Sequence, residues 1–136
     1  MKVKLDGGAF LPERAHDTDA GLDLRSPRPY TVPAHGHCVI TTGVHVQLPH
    51  GTAGLIVSKS GLNIRDGITS RGLIDEGYTG EIVVRLDNVG DADKVIQRGD
   101  KISQLVIVQV LYDLCEPTDA LESSERGENG FGSTGR

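Results

Sequence analysis

The chain has 136 residues, 37% of them hydrophobic and 24% charged, which is typical of a single soluble domain with a sizeable core. No run of about 18 apolar residues and no hydrophobic signal region are found, so we expect a cytoplasmic protein that has no membrane partner. The net charge of −5 argues against a nucleic-acid partner, because sequence-independent binding to nucleic acid needs a basic face.

The first half of the chain contains two stretches with the pattern of β-strands. Residues 38–48 alternate, so that Ile40 and Val44 share one face while His45 lies on the other. Residues 53–58, AGLIVS, follow after a turn and predict a second strand. Two further local predictions are a turn at residues 30–36 and a helix of one or two turns at residues 60–66.

The second half of the chain predicts a hairpin and a buried strand. Residues 71–74 and 81–88 are apolar segments joined through DEGYTG, which is a hairpin pattern. After a predicted turn at residues 88–93, residues 101–111 form an apolar run that we expect to be buried on both faces. Short strands separated by turns predict an all-β fold, closed or built from two sheets, because such folds leave few exposed strand edges.

The composition changes near residue 119, where the chain becomes polar and rich in glycine and serine. We therefore divide it into a β-rich core, residues 1–118, and a C-terminal arm, residues 119–136. Composition alone predicts that the arm is disordered, because it has too little apolar surface to offset the entropy of folding.

Two polar stretches in the first half have both a structural and a functional interpretation. DTDAGLDLRS, residues 17–26, is either a solvated turn or a place where Asp23 faces a divalent cation or its water shell. Oxygen ligands of this kind suit Mg²⁺. VSKSGLN, residues 57–63, is either a surface turn or a small anion-binding site of backbone amides, a hydroxyl and Lys59.

Two stretches in the second half carry further polar candidates. In RGLIDEGYTGE, Asp75 lies at the end of an apolar strand and Tyr78 follows three residues later. A carboxylate at a strand end can orient water as a general base, although an Asp there also commonly begins a turn. Gln104 lies inside an apolar run, where a polar side chain needs a hydrogen-bond partner.

The last residues, 126–136, are RGENGFGSTGR, and they contain charged and aromatic side chains that a simple Gly/Ser-rich linker lacks. Glycine backbone amides, the hydroxyls of Ser133 and Thr134, and the guanidinium of Arg126 can surround phosphate oxygens. Phe131 can stack on a flat ring. The alternative is a tail without a ligand.

Taken together, these stretches resemble the five motifs of the homotrimeric deoxyuridine triphosphate nucleotidohydrolases, the dUTPases. In order, the matching segments are DAGLDL, SKSGLN, GLIDEGYTGE, RGDKISQLV and RGENGFGSTG. They extend over nearly the whole chain, and the third and fifth are the most specific. The resemblance implies an all-β, jelly-roll-like (β-clip) subunit with very little helix and a flexible C-terminal arm. It also implies a homotrimer, with active sites between subunits and an arm closing over each.

The resemblance implies that the substrate is dUTP, hydrolysed at the α-phosphate to dUMP and pyrophosphate with Mg²⁺ as the cofactor. This reaction removes dUTP and supplies dUMP for thymidylate synthesis. Asp75 is the implied water-activating base, Asp23 the implied Mg²⁺ contact through water, and Tyr78 the implied barrier to a 2′-hydroxyl. The implied substrate-binding residues are Lys59, Ser60, Gly61, Thr69, Gly72, Leu73, Ile74, Tyr78, Val83, Gln104, Arg126, Phe131, Gly132, Ser133 and Thr134.

Two positions depart from the family pattern. Lys59 stands where arginine is usual and lacks the planar two-pronged donor of a guanidinium. Thr69 stands where many bacterial members have asparagine. The alternatives are an enzyme related to dCTP deaminase, whose chains are longer and lack the fifth motif, and a nucleotide-responsive regulatory protein of the same fold.

Overall fold

The structure is a computed structural model that describes residues 1–124, 126 and 127. These residues form ten strands and one short helix, which confirms the prediction of a β-rich chain with very little helix. The strands are β1 (Lys2–Leu5), β2 (Gly21–Arg25), β3 (Tyr30–Val32), β4 (His37–Gln47), β5 (Thr52–Ser58), β6 (Ile68–Thr69), β7 (Arg71–Ile74), β8 (Glu81–Asn88), β9 (Lys94–Ile96) and β10 (Lys101–Gln109). The helix is α1 (Ser60–Asp66), and no helix of the described residues has the length and apolar character to cross a membrane.

The strands form two four-stranded sheets and one two-stranded sheet. The strand orders are β1-β4-β8-β6 in the first sheet, β2-β10-β5-β7 in the second and β3-β9 in the third. Every paired strand runs antiparallel to its neighbour. One apolar cluster contains side chains from both larger sheets, so these sheets enclose a common core.

The alternating patterns identify the faces that are buried in this core. In β8, Ile82, Val84 and Leu86 are all completely buried, as alternation predicts. In β4, Ile40, Thr42 and Val44 are buried, while the alternate positions between them are more exposed. These faces are predictable because the two-residue period of a strand places every second side chain on the same side of the sheet.

The predicted hairpin at residues 71–88 is wrong. β7 pairs with β5, whereas β8 pairs with β4 and β6, so residues 75–80 carry the chain from one sheet to the other. A tight polar turn between two apolar segments is compatible both with a hairpin and with a connection between two sheets. The local sequence pattern therefore does not separate the two.

Two smaller predictions also need correction. Residues 30–32, predicted as part of a turn, form β3, which pairs with β9. In β10, Ile102 and Ser103 are buried on successive positions, but the residues after Leu105 are only half-buried or exposed. Burial on both faces therefore applies only near the start of this strand. The predicted helix is correct, and Gly67 caps its C-terminal end with a φ of 65°, which glycine adopts readily.

Candidate active site

The turn between β7 and β8 forms one wall of a surface cavity of about 260 Å³. Two apolar side chains on this cavity are unusually open to solvent, since Leu73 is 61% exposed and Val83 45% exposed. Asp75 is also exposed and directly follows β7. The cavity is lined by Leu73, Ile74, Asp75, Tyr78, Glu81 and Val83, all of which except Glu81 were predicted from the sequence as site residues.

Hydrogen bonds within the turn hold Tyr78 in place. The backbone amide of Tyr78 donates to the carbonyl oxygen of Asp75 at 3.0 Å, and its hydroxyl donates to the carbonyl oxygen of Glu81 at 2.9 Å. A Cβ atom on Gly80 would lie 2.8 Å from Cε2 of Tyr78, so only glycine leaves room for this ring position. The turn thus presents a fixed aromatic ring beside an exposed carboxylate.

A second cavity, of about 350 Å³, is lined by cationic side chains. Lys59 and Gly61, both predicted, lie on it at the start of α1. Its other lining residues are Leu62, Arg65, Lys94, Val95, Ile96, Asp100 and Lys101. Lys101 was not predicted as a site residue, although it lies within the fourth motif, three residues before Gln104. Such a cluster of cations favours an anion such as a phosphate group.

Asp23 lies on β2 beneath this cationic cavity and is only 3% exposed. Its carboxylate accepts from Nζ of Lys59 at 3.1 Å and from Nζ of Lys101 at 2.6 Å. Burial by itself would raise the pKa of Asp23, but the hydrogen bonds from Lys101 and Lys59 outweigh it and hold the pKa below its usual value. Asp23 is therefore a buried, ionised counter-charge, and the interpretation of this segment as a solvated turn does not hold for it.

The strand register brings Gln104 to the same carboxylate. Gln104 lies opposite Asp23 on β2 and opposite Val57 on β5, and its Nε2 donates to Asp23 Oδ1 at 3.4 Å. Gly21 permits this packing, because a Cβ there would lie 2.9 Å from Cβ of Gln104. The expected hydrogen-bond partner of Gln104 is thus a residue of the first motif.

The two cavities lie at opposite ends of the β5–β7 pair. Ile74, which precedes Asp75, is opposite Gly54 near the start of β5, whereas Lys59 follows the end of β5. About five strand residues separate the two ends, or roughly 17 Å at 3.3 Å per residue. Within one chain, therefore, the exposed carboxylate and the cationic cluster are not adjacent.

The described residues do not form a metal site of their own. No group of three or more His, Cys, Asp or Glu side chains among them could hold a metal ion. The oxygens of Asp23 already accept from three donors, and a carboxylate has about four lone-pair sites. One lone-pair site of Asp23 is therefore left for a water molecule. This arrangement fits a cation that enters with a phosphorylated ligand and is contacted through water, and it does not fit a cation bound by protein side chains alone.

The remaining predicted residues are distributed as follows. Ser60 is the exposed first residue of α1, Thr69 lies in β6 opposite Asp87 of β8, and Gly72 lies in β7 opposite Ile56. Arg126 is exposed. The predicted arm residues outside the described part of the chain are Phe131, Gly132, Ser133 and Thr134.

Comparisons with known proteins extend over nearly the whole chain. The family model described as dUTPase matches residues 9–135. A deoxyuridine 5'-triphosphate nucleotidohydrolase of Clostridium acetobutylicum is 44% identical, over 99% of this chain and 96% of the relative.

Solved structures share the fold. The Staphylococcus bacteriophage 80alpha dUTPase with dUPNHPP superposes with a TM-score of 0.94 at 32% identity, over 99% of this chain and 98% of the other. A point mutant of the dUTPase from phage phi11 of S. aureus, which reveals the coordination of a structural Mg(II) ion, gives a TM-score of 0.82 at 29% identity, over 90% of this chain and 98% of the other. These similarities confirm the predicted all-β, jelly-roll-like fold.

Proposed function

This chain belongs to the dUTPase family, and we infer from that membership that it hydrolyses dUTP to dUMP and pyrophosphate. The reaction removes dUTP and supplies dUMP for thymidylate synthesis. The observation that carries the site assignment is the cavity at residues 75–80, where an exposed carboxylate, a fixed tyrosine ring and exposed apolar side chains meet. The carboxylate suits a water molecule, the tyrosine ring suits a sugar, and the apolar side chains suit a base.

We propose that Asp75 acts as the general base. Its carboxylate accepts a hydrogen bond from water and directs the water oxygen in line at the α-phosphorus. The new oxygen–phosphorus bond forms as the bond to the bridging α,β-oxygen breaks, pyrophosphate leaves, and Asp75 takes the proton. The exposure of Asp75 at the rim of the cavity supports this role, because both water and the α-phosphate can reach it.

The proposed pocket for the nucleoside combines the Tyr78 ring with the ends of β7 and β8. Tyr78 packs beneath the deoxyribose and leaves no room for a 2′-hydroxyl. Leu73, Ile74 and Val83 contact the uracil ring, and backbone groups near Gly72 read its edge. β7 is the last strand of its sheet, so one side of its backbone is available for such hydrogen bonds. Thr69 is proposed to assist from β6, which belongs to the other four-stranded sheet.

The proposed triphosphate site is the cationic cavity. Lys59, Ser60, Gly61 and Gln104 are proposed to contact the α- and β-phosphates. Lys101, which lines the cavity together with Lys59 and Gly61, adds positive charge. Mg²⁺ entering with the triphosphate would supply positive charge that offsets the charge of the phosphates. Asp23 holds Lys59 and Lys101 in place and would contact the ion through water.

We propose a homotrimer with sites shared between subunits. The support is geometric, because the roughly 17 Å along β5 that separate Asp75 from the cationic cavity are too long for both to act on one α-phosphate within a single chain. The arm, residues 119–136, completes the site by closing over the nucleotide. Its proposed contacts are Arg126, Ser133 and Thr134 with the γ-phosphate, Gly132 with the phosphates through its backbone, and Phe131 with uracil.

The test is to incubate the protein with dUTP, dCTP and UTP in turn and to measure pyrophosphate and identify the product base. We expect pyrophosphate and dUMP from dUTP alone. Conversion of the cytosine base to uracil would indicate the dCTP deaminase-related alternative. Tight nucleotide binding without turnover would indicate a regulatory protein, and either result would overturn the proposed function.

A further inference from the structure

Glu76, the residue after Asp75, makes three hydrogen bonds that leave the turn and join it to distant parts of the chain. Its Oε1 lies 2.8 Å from Nδ1 of His50. Its Oε2 accepts from the backbone amide of Gly51 at 2.9 Å and from the hydroxyl of Tyr112 at 2.5 Å. The family motifs do not explain these contacts, because His50, Gly51 and Tyr112 lie outside all five.

The contacts show that the Glu76 carboxylate is charged and firmly held. The hydrogen bond from Tyr112 is the main cause that lowers the pKa of Glu76 to about 2, followed by those from His50 and from the Gly51 amide. The same contact with Glu76 raises the pKa of Tyr112. Hydrogen bonds to an ionised carboxylate are shorter and stronger than those between neutral groups. Glu76 therefore acts as an acceptor at neutral pH.

The location of its three partners determines which part of the chain Glu76 can hold in place. His50 and Gly51 belong to the connection between β4 and β5, and Tyr112 lies just after β10, on the segment that leads toward the arm. Asp75 itself is exposed, so its direction depends on the backbone of its neighbour. Glu76 holds that backbone through contacts with residues that do not line the cavity.

We propose that Glu76 is a positioning residue that sets the direction of the Asp75 carboxylate, with Tyr112 as its main partner. The proposal rests on the proposed role of Asp75. A misplacement of about 1 Å at a reacting group can lower a rate on the order of 100-fold. Loss of Glu76 should therefore lower kcat more than it changes the KM for dUTP, because the nucleoside and phosphate contacts are made by other residues.

The experiment compares Glu76→Ala, Glu76→Gln, Tyr112→Phe and the double variant Glu76→Ala/Tyr112→Phe in the full-length protein. We expect Glu76→Ala to lower kcat on the order of 10- to 100-fold with KM within about threefold of wild type. Glu76→Gln should recover part of the loss, since its amide oxygen still accepts from Gly51. Tyr112→Phe should lower kcat by a smaller factor. Glu116→Ala, which removes an exposed acid four residues after Tyr112, is the matched control and should resemble wild type.

The double variant separates positioning from general destabilisation. If Glu76 and Tyr112 act as one unit, the double variant has the same kcat as Glu76→Ala. A kcat in the double variant that falls by the product of the two single-variant factors would overturn the proposal. A wild-type kcat in Glu76→Ala, or a change confined to the KM of Glu76→Ala, would also overturn it. Thermal melting of each variant confirms that the assay temperature lies below unfolding. Wild type that fails to hydrolyse dUTP would instead refute the proposed function.

Discussion

Two successive strands, β7 and β8, use their apolar side chains in opposite ways. In β8, Ile82, Val84 and Leu86 are completely buried between the sheets. In β7 only Ile74 is buried, while Leu73 points to solvent beside Asp75 and the Tyr78 ring. The first arrangement stabilises the fold, and the second leaves apolar surface open on the cavity, where the proposed nucleoside pocket lies. The contrast indicates that stability and activity depend on largely separate residues, which mutations can test.

Asp75→Asn should have the largest effect on activity. The amide cannot take a proton from water, so kcat for dUTP should fall by about 10²- to 10⁴-fold. The side chain is exposed, and thermal melting should therefore resemble wild type. Steady-state kinetics and a binding titration with a non-hydrolysable dUTP analogue check both statements. A variant that keeps kcat within tenfold of wild type would exclude Asp75 as the base.

Leu86→Ala should have the opposite profile. Truncation of a completely buried leucine is expected to lower the free energy of unfolding by about 2–5 kcal/mol. The kcat of the folded fraction should stay close to wild type, because Leu86 lies in the enclosed core and not on the cavity. Chemical denaturation and active-site titration measure the two quantities. Should kcat fall together with stability, the separation between core and site would not hold.

Deletion of residues 125–136 should also affect activity without affecting the core. The buried cluster consists of residues between Leu22 and Leu105, so its melting temperature should hardly change. If the arm closes over the nucleotide and excludes bulk water, kcat should fall on the order of 100-fold. Amide exchange should show arm protection by the dUTP analogue and little protection by dUMP. Full activity after deletion would show that the arm has no part in catalysis.

The smallest predicted effect concerns pH and His45, which links the turn to Asp6, the residue after β1. Its Nδ1 lies 3.1 Å from the carbonyl oxygen of Thr79 and its Nε2 lies 3.0 Å from the Asp6 carboxylate, so only the protonated ring can donate to both. The hydrogen bond to Asp6, followed by that to Thr79, raises the pKa of His45 above its usual value. Lys4, on the same side, opposes this shift, and the cross-strand neighbour Glu81 also faces the region.

Because folding raises the pKa of His45, the contact of the protonated ring with Asp6 and Thr79 is fully present below the pKa of His45 in the unfolded chain. The contact is lost as the pH rises through the pKa of His45 in the folded protein. The KM for dUTP should therefore rise by about two- to fivefold over that range as the turn loosens. His45→Gln should remove this step from a plot of KM against pH. A step that persists in the variant would assign the titration to another group.

Sequence patterns predicted the parts of the molecule that depend on local order. Alternation identified the buried faces of β4 and β8. The family resemblance of the third motif proposed Asp75 and Tyr78 as site residues, and the structure places both on one cavity. The pairing of β7 with β5, the buried Asp23–Lys101 contact and the Glu76–Tyr112 hydrogen bond were not predicted. Each joins residues far apart in the chain, and only the packing of the sheets brings them together.

In the proposed mechanism, water directed by Asp75 attacks the α-phosphorus of dUTP. Hydrolysis in ¹⁸O-labelled water tests it directly, with mass spectrometry of both products after a single turnover. We predict that the label appears in the phosphate of dUMP and that pyrophosphate stays unlabelled. Label in the pyrophosphate would place the attack at the β-phosphorus and contradict this mechanism.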